Sequence, residues 1–346
     1  MVSTPVRVGV IGVGYWGPNL LRNFQSLKTA DAVWCADLNE DRLTHMAGLY
    51  PGTRTTTDHI EVLDDPDVDA VVVATPANTH CEIAVQAFER GKHVFVEKPM
   101  AVSTPECQEM VEAAERAGKK LMVGHTFLFN TAVYRIKELI DSGELGDIFY
   151  VYVNRVNLGL FREDCNVVWD LAPHDIAILN WLLDSTPERI TGTGHSYVQP
   201  GIEDVAFINL KYPKGVMANL HVSWLDPNKV RTITVVGSQK MLVYDDVSNT
   251  EKLRVYDKGV DKLPHYDTFG EFQLSYRYGD IVIPKINGGE PLKNEAEHFI
   301  SAILGEEELR SDGHAGLDCV HALELACESI KANGKSLEFD PARVVG

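Results

Sequence analysis

Val6-Arg7-Val8-Gly9-Val10-Ile11-Gly12-Val13-Gly14-Tyr15-Trp16-Gly17 opens on a short Val-rich run and passes straight into a GxGxxG. A run of that kind, with little alternation of apolar and polar residues, suits a strand buried on both faces of a parallel sheet. Glycines directly behind it allow a tight turn and let the backbone approach a pyrophosphate. The helix that follows would offer unpaired N–H groups and a partial positive charge. A glycine turn with no ligand is the alternative reading. The context favours the first: strand before, helix after, and Asp37 ending the second apolar run, twenty residues past Gly17. A carboxylate there would accept hydrogen bonds from the adenosine ribose hydroxyls and repel a 2′-phosphate, which predicts NAD over NADP. Arg42 complicates that selection unless it is simply a solvated helix residue. The cofactor candidates from this region are Gly12, Gly14, Tyr15, Trp16, Gly17, Asp37, Leu38 and Arg42.

Outward from this stretch, further apolar runs recur at Ala32–Ala36, Ala70–Ala74, His93–Val96 and Leu121–Val123. Helix-like segments separate them: Pro18 to Leu27, Asp41 to Leu49, Asn78 to Arg90, and Ser103 to Ala117 with Ser103 as N-cap and Pro105 in its first turn. Strand and helix in alternation imply right-handed βαβ units and a doubly wound α/β sheet. After about residue 146 the rhythm changes to alternating strands at Phe149–Val156, Val205–Leu210, Val216–Trp224, Thr232–Val236 and Lys240–Tyr244, joined by short turns. That pattern predicts a mainly antiparallel sheet, open on one face. Helical patterns around Asn294–Leu304 and Gly316–Ala332 close the chain, while Pro264–Gly289 shows no clear period. The expected organisation is a Rossmann-type domain over residues 1–126 and an α+β domain over 127–346.

The length of 346 residues suits two domains, and 45% hydrophobic with 24% charged residues describes an ordinary globular chain. Lys+Arg 32 against Asp+Glu 50 gives a net charge of −18, which argues against nucleic acid or an anionic membrane as partner. No apolar run approaches the roughly 20 residues of a membrane helix. Met1-Val2-Ser3-Thr4-Pro5 lacks a basic segment followed by an apolar one, so no signal peptide is expected. The six cysteines form no CxxC pair, which speaks against a disulfide scaffold or a cysteine-rich zinc site and makes the cytoplasm the expected compartment.

Two further motifs carry chemistry. Glu97-Lys98-Pro99 ends a parallel strand, and proline holds the preceding lysine in extended geometry. At such a strand end an ammonium can polarise a carbonyl and stabilise an alkoxide; a surface lysine in a turn is the alternative. Trp169-Asp170-Leu171-Ala172-Pro173-His174-Asp175 leads into an apolar helix, with Asp170 as the expected N-cap and Pro173 in the first turn. Asp170 and His174 are four apart and share a face, so the carboxylate can fix the tautomer of the imidazole and raise its basicity, as a general base requires. A capping Asp beside an incidental His is the alternative. No further His or Cys stands at metal-ligand spacing, so no metal is expected.

In this order the three motifs resemble the Gfo/Idh/MocA family: a Rossmann domain with an N-terminal GxGxxG, an EKP at the end of its fifth strand, and a DxxxH on the first helix of the second domain. The resemblance runs over nearly the whole chain. Ala74-Thr75-Pro76-Ala77-Asn78-Thr79-His80 is similar to the family's nicotinamide-side loop, which adds Thr75, Pro76, Asn78, His80, Glu97 and Lys98 to the cofactor candidates. The resemblance implies Lys98, Asp170 and His174 as the catalytic group, with a cis Lys98–Pro99 peptide, and so displaces the blander readings of both motifs. Five stretches are most similar to the sugar-nucleotide subgroup of UDP-N-acetylglucosamine 3-dehydrogenase type: Gly14–Asn19, Gly124–Phe127, Trp169–Asp175, Ser223–Pro227 and Glu290–Leu292. The reaction so implied is NAD-dependent oxidation of a secondary hydroxyl, C3 of a nucleotide-linked N-acetylhexosamine. An inositol or free-sugar dehydrogenase and a keto-sugar reductase are alternatives. A non-catalytic NAD-binding sensor is a third, although such members tend to lose the lysine or histidine that this chain keeps. Lys98, Asp170 and His174 are expected to touch substrate together with Arg155, Asn157, Arg162 and Lys229; each of those last four reads equally well as an ordinary surface or strand residue. Arg155 and Asn157, two apart, would point the same way on a strand. The resemblance also implies a homodimer or homotetramer through the open sheet.

Overall fold

The protein is described here by a computed structural model, covering residues 4–261 and 275–341. Met1–Ser3, at the start of the segment weighed for a signal peptide, and the first part of the aperiodic Pro264–Gly289 stretch lie outside the described residues.

The first unit is built on six parallel strands, β1 (Val6–Ile11), β2 (Ala30–Ala36), β3 (Arg54–Thr56), β4 (Ala70–Val73), β5 (His93–Glu97) and β6 (Leu121–Gly124). Their order across the sheet is β3-β2-β1-β4-β5-β6. Chain order therefore reverses between β1 and β4, the place where a doubly wound sheet opens a crevice at its carboxyl ends. The strands in the middle of the sheet read as continuous apolar runs because both faces are covered: all four residues of β4 are fully buried. Helices α1 (Gly17–Ser26), α2 (Glu40–Leu49), α3 (His59–Asp64), α4 (His80–Glu89) and α5 (Thr104–Ala117) supply the crossovers. Ser103 caps α5 as expected, its side chain accepting from the Glu106 N–H.

The second unit contains α6 (Thr131–Asp141), β7 (Ile148–Val156), α7 (Val167–Leu183), β8 (Arg189–His195), β9 (Val205–Lys211), β10 (Met217–Ser223), β11 (Val230–Gly237), β12 (Met241–Asp245), β13 (Leu253–Asp261) and β14 (Ser275–Val282). With β15 (Leu337–Glu338) these strands form a nine-stranded sheet, antiparallel except where β10 runs parallel to β7. Alternation along β7 puts Val151 and Val153 inside while Tyr150 and Tyr152 stand exposed on the opposite face.

The helix α8 (Pro291–Ile303) and the first part of α9 (Gly313–Lys331), to Glu324, group with the parallel-sheet unit; the second unit comprises Asn130–Gly288 and Leu325–Asp340. A single break at residue 126 thus gives way to a chain that leaves the first unit and returns to it. The physical reason is aromatic. Phe299 of α8 meets Phe24 of α1 and Phe95 of β5 edge-on, with ring centroids 5.7 to 6.3 Å apart, and all three are fully buried.

The start of α7 differs from the sequence expectation. The cap is Asn166, whose side chain accepts from the Trp169 N–H at 3.2 Å, rather than Asp170. Its amide also donates to Glu203 at 2.8 Å, which fixes its orientation for capping. Pro173 therefore sits inside the helix, which forgoes one N–H···O=C bond there. Asp170 and His174 remain one turn apart on the same helix face. Asn166→Ala should cost about 1 kcal/mol of stability, read as a lower midpoint in chemical denaturation with an unchanged slope.

Candidate active site

In the first unit, β1 delivers the chain to a turn that only glycine can make. Gly12 has φ of +91°, and a Cβ there would fall 2.7 Å from the Ala74 carbonyl; one on Gly17 would fall 2.0 Å from the Gly12 oxygen. At Gly14 the nearest atom is Arg42 Nη1 at 3.4 Å, so its missing side chain opens space rather than relieving a backbone clash. The N-terminus of α1 has no side-chain cap and no acidic residue in its first turn, which leaves its N–H groups available to an anion. Asp37, just past β2, is held in place: Oδ2 accepts from the Val13 N–H at 2.8 Å and Oδ1 from the Asn39 N–H at 2.9 Å. Arg42 Nη1 lies 3.7 Å from the same carboxylate.

These groups border a cleft of about 810 Å³ at the carboxyl ends of β1, β2 and β4. Of the sequence candidates, Gly12, Gly14, Tyr15, Asp37, Leu38, Arg42, Thr75 and Pro76 line it; Trp16, Gly17, Asn78, His80, Glu97 and Lys98 stand outside that lining. Thr79, inside the loop of the family motif but not named as a candidate, also lines it, as do Asn39, Thr57, His59, Glu82 and Ile83, which carry no motif. For Asn39 and Thr57, position after a strand end was the only signal. Glycines at the turn, an uncapped helix start and a carboxylate after β2 together fit a dinucleotide.

His80 is buried, with Nε2 at 2.9 Å from the Thr75 carbonyl and Nδ1 at 3.1 Å from that of Pro99. It braces the loop after β4 against the turn after β5, and burial pushes its pKa down. The Lys98–Pro99 peptide in that turn is cis, as the resemblance implied. Behind Lys98 lies a set of buried titratable groups. Glu97 Oε2 accepts from the Lys98 N–H at 3.2 Å, and burial raises the carboxyl pKa to about 7. Glu295 of α8 accepts from the Thr126 hydroxyl at 2.8 Å; burial, then the nearby Glu97 charge, hold its pKa well above the usual carboxylate range. Burial, with the Lys98 charge adding to it, lowers His125 to about 3. Glu295 was invisible to motif reading because a single acid on an amphipathic helix looks solvated.

In the second unit, the Asp170 carboxylate on α7 takes two donors. The Trp224 indole N–H reaches Oδ2 at 2.9 Å, and Arg162 Nη1 lies 3.4 Å from Oδ1. Arg162 is itself paired with Asp164 through Nε at 2.9 Å and Nη2 at 2.5 Å. Arg155, expected among the substrate contacts, is buried instead and pairs with Asp175 through Nε and Nη2 at 2.7 and 2.6 Å. A desolvated guanidinium requires such a partner, so this one is committed to the fold. Asn157 is half-buried just past β7, its N–H donating to the Ser223 carbonyl at 3.1 Å; Lys229 is exposed between β10 and β11. Among the described residues no group of three or more His, Cys, Asp or Glu is arranged to hold a metal ion. No helix there is long and apolar enough to cross a membrane.

Residues 6–125 match the family model for the oxidoreductase family with an NAD-binding Rossmann fold, and residues 133–243 match the GFO/IDH/MocA C-terminal domain. The chain belongs to the Gfo/Idh/MocA family. It is 31% identical over 226 residues to inositol 2-dehydrogenase 2 of Saccharopolyspora erythraea, covering 63% of this chain and 66% of that protein. Against myo-inositol 2-dehydrogenase of Thermotoga maritima it is 25% identical over 315 residues, 86% of this chain and 93% of the other. It spans 59% of an uncharacterized oxidoreductase of Streptococcus pneumoniae at 31% identity. The fold is shared with UDP-N-acetylglucosamine 3-dehydrogenase from Acidithiobacillus ferrooxidans, at 24% identity and a TM-score of 0.77 over 94% of this chain and 97% of that one.

The raised pKa of Glu97 has a sign that can be tested. A carboxyl that binds its proton more tightly folded than unfolded contributes stability in full below the unfolded value of 4.5, and loses it as pH rises through about 7. Across that window the loss approaches 1.4 kcal/mol per pH unit for one proton. Glu97→Gln should therefore flatten the fall in stability between pH 5 and 8. Parallel denaturation curves for the two proteins at both pH values would contradict this.

Proposed function

We propose that this protein is an NAD-dependent dehydrogenase oxidising a secondary hydroxyl of a sugar or cyclic polyol, with C3 of a nucleotide-linked N-acetylhexosamine as the first substrate to try. The observation that carries the reading is the cleft after β1, with its glycine turn and Asp37, in a chain that also keeps Lys98 and the Asp170–His174 pair. Bound NAD supplies a nicotinamide that accepts hydride from the carbinol carbon. The chain does the rest. Neutral His174 takes the hydroxyl proton, Asp170 orients the ring, and the Lys98 ammonium holds the substrate oxygen and stabilises its developing charge. Because the base must be neutral, oxidation should quicken as pH rises through the titration of His174. Asn157, Arg162 and Lys229 are the polar candidates for the remainder of the substrate.

The nucleotide-sugar assignment rests on the stretches Gly14–Asn19, Gly124–Phe127, Trp169–Asp175, Ser223–Pro227 and Glu290–Leu292. A second reading, oxidation of an inositol ring, is favoured by the inositol dehydrogenases among the relatives. The same proposal includes a homodimer or homotetramer formed through the open face of the nine-stranded sheet, where Tyr150, Tyr152, Phe207 and Met217 are exposed. A reducing, cytoplasmic setting is consistent with six cysteines that form no CxxC pair.

His174→Ala should lower kcat by about 10²- to 10⁴-fold while NAD affinity changes little; a variant of near-normal rate would remove His174 from the reaction. Asp37→Ala should weaken NAD binding and narrow its preference over NADP, checked by titrating both nucleotides; tighter NADP binding by the unmutated protein would reverse that assignment. Turnover of UDP-N-acetylglucosamine against myo-inositol, followed at the NADH absorbance, separates the two substrate readings.

A further inference from the structure

Asp170 is gripped from two sides, and both grips are themselves anchored. Trp224 follows β10 and is 1% exposed, so its indole N–H cannot turn to water and must find an acceptor inside. Its backbone N–H donates to the Asp204 carbonyl at 2.9 Å, and its carbonyl accepts from the Gly159 N–H at 3.0 Å. Phe161 packs edge-on against the indole, centroids 5.8 Å apart. Gly159 leaves room for the ring, since a Cβ there would stand 3.2 Å from Trp224 Cδ1. The same connecting segment carries Arg162, whose guanidinium is oriented by the two-pronged pair with Asp164 so that Nη1 is left toward Asp170. One carboxylate oxygen thus answers to a neutral donor on a buried ring, the other to a cation on the segment that packs against that ring.

We propose that Trp224 and Arg162 are positioning residues for the Asp170–His174 pair: together they fix the rotamer of the carboxylate and spread its charge, and so set both the aim and the basicity of the His174 imidazole. This rests on the function proposed above, in which His174 is the base, and adds the residues that tune it. A hydrogen-bond donor and a cation each draw charge from the carboxylate, so both weaken the hold of Asp170 on an imidazolium. Removing either should raise the pKa of His174. A purely structural role would leave that titration alone.

The test follows His174 by NMR in isotopically labelled full-length protein, its ring signal assigned by disappearance in His174→Gln. In Trp224→Phe, which keeps most of the bulk and loses the N–H, the titration should move up by several tenths of a pH unit to about one unit. Arg162→Gln, at a half-exposed site with little influence on folding, should move it the same way. Phe161→Leu, which alters packing on the same indole but keeps its N–H, should leave it in place. With turnover established, Trp224→Phe should also lower kcat several-fold with the KM for NAD unchanged, and shift the acid limb of the pH–rate profile upward. An unmoved His174 titration in both Trp224→Phe and Arg162→Gln overturns the proposal; should Trp224→Phe fail to fold, an unmoved titration in Arg162→Gln is enough. If the titrations shift while no sugar or polyol is oxidised, the positioning stands and the dehydrogenase reading is what fails.

Discussion

Two backbone approaches too close for any side chain shape the start of this molecule. The position of Gly17 lies against the Gly12 oxygen, and Gly12 lies at positive φ against Ala74 of the neighbouring strand end. Those contacts force β1 to turn abruptly into α1, leave the helix N-terminus without a capping side chain, and bring the Val13 N–H onto the carboxylate of Asp37. The cleft follows from that geometry. Asp37 is held there by two backbone N–H groups, so little ordering of that carboxylate would remain to be done when a dinucleotide binds.

Charge is distributed by a different logic in the two units. In the first, two acids are taken out of water: Glu97 is buried beside Lys98 and Glu295 near Glu97, and desolvation raises the pKa of both. In the second, acids are paired: Asp175 with Arg155 and Asp170 with Trp224 and Arg162. Burial favours the protonated form of a carboxyl, whereas a cation or an N–H donor at the oxygens favours the charged one.

Much of this was legible in the letters, and the misses share a cause. Short apolar runs with little alternation announce strands buried on two faces, which is why β1, β2, β4, β5 and β6 were readable. The edge strand β3, Arg54-Thr55-Thr56, has no apolar run because it is only three residues long and none of them is buried. Its neighbours Thr57 and His59, which line the cleft, went unseen with it. Asn166 was overlooked as a cap because Asp170 and Pro173 further along imitate a helix start. Arg155 looked like a polar contact on an open sheet; only the partner Asp175, twenty residues on, shows it to be interior. Periodicity reports burial well but is silent on which polar side chain meets which.

The aromatic trio of Phe24, Phe95 and Phe299 has a bearing on how this protein can be dissected. One ring of three comes from a helix encoded about 280 residues downstream of the glycine turn. A gene fragment cut after residue 126 would carry every strand of the nucleotide-binding sheet and yet bare two phenylalanines to solvent, inviting aggregation. Excising that half cleanly would call for splicing the distant helix back on through a short linker.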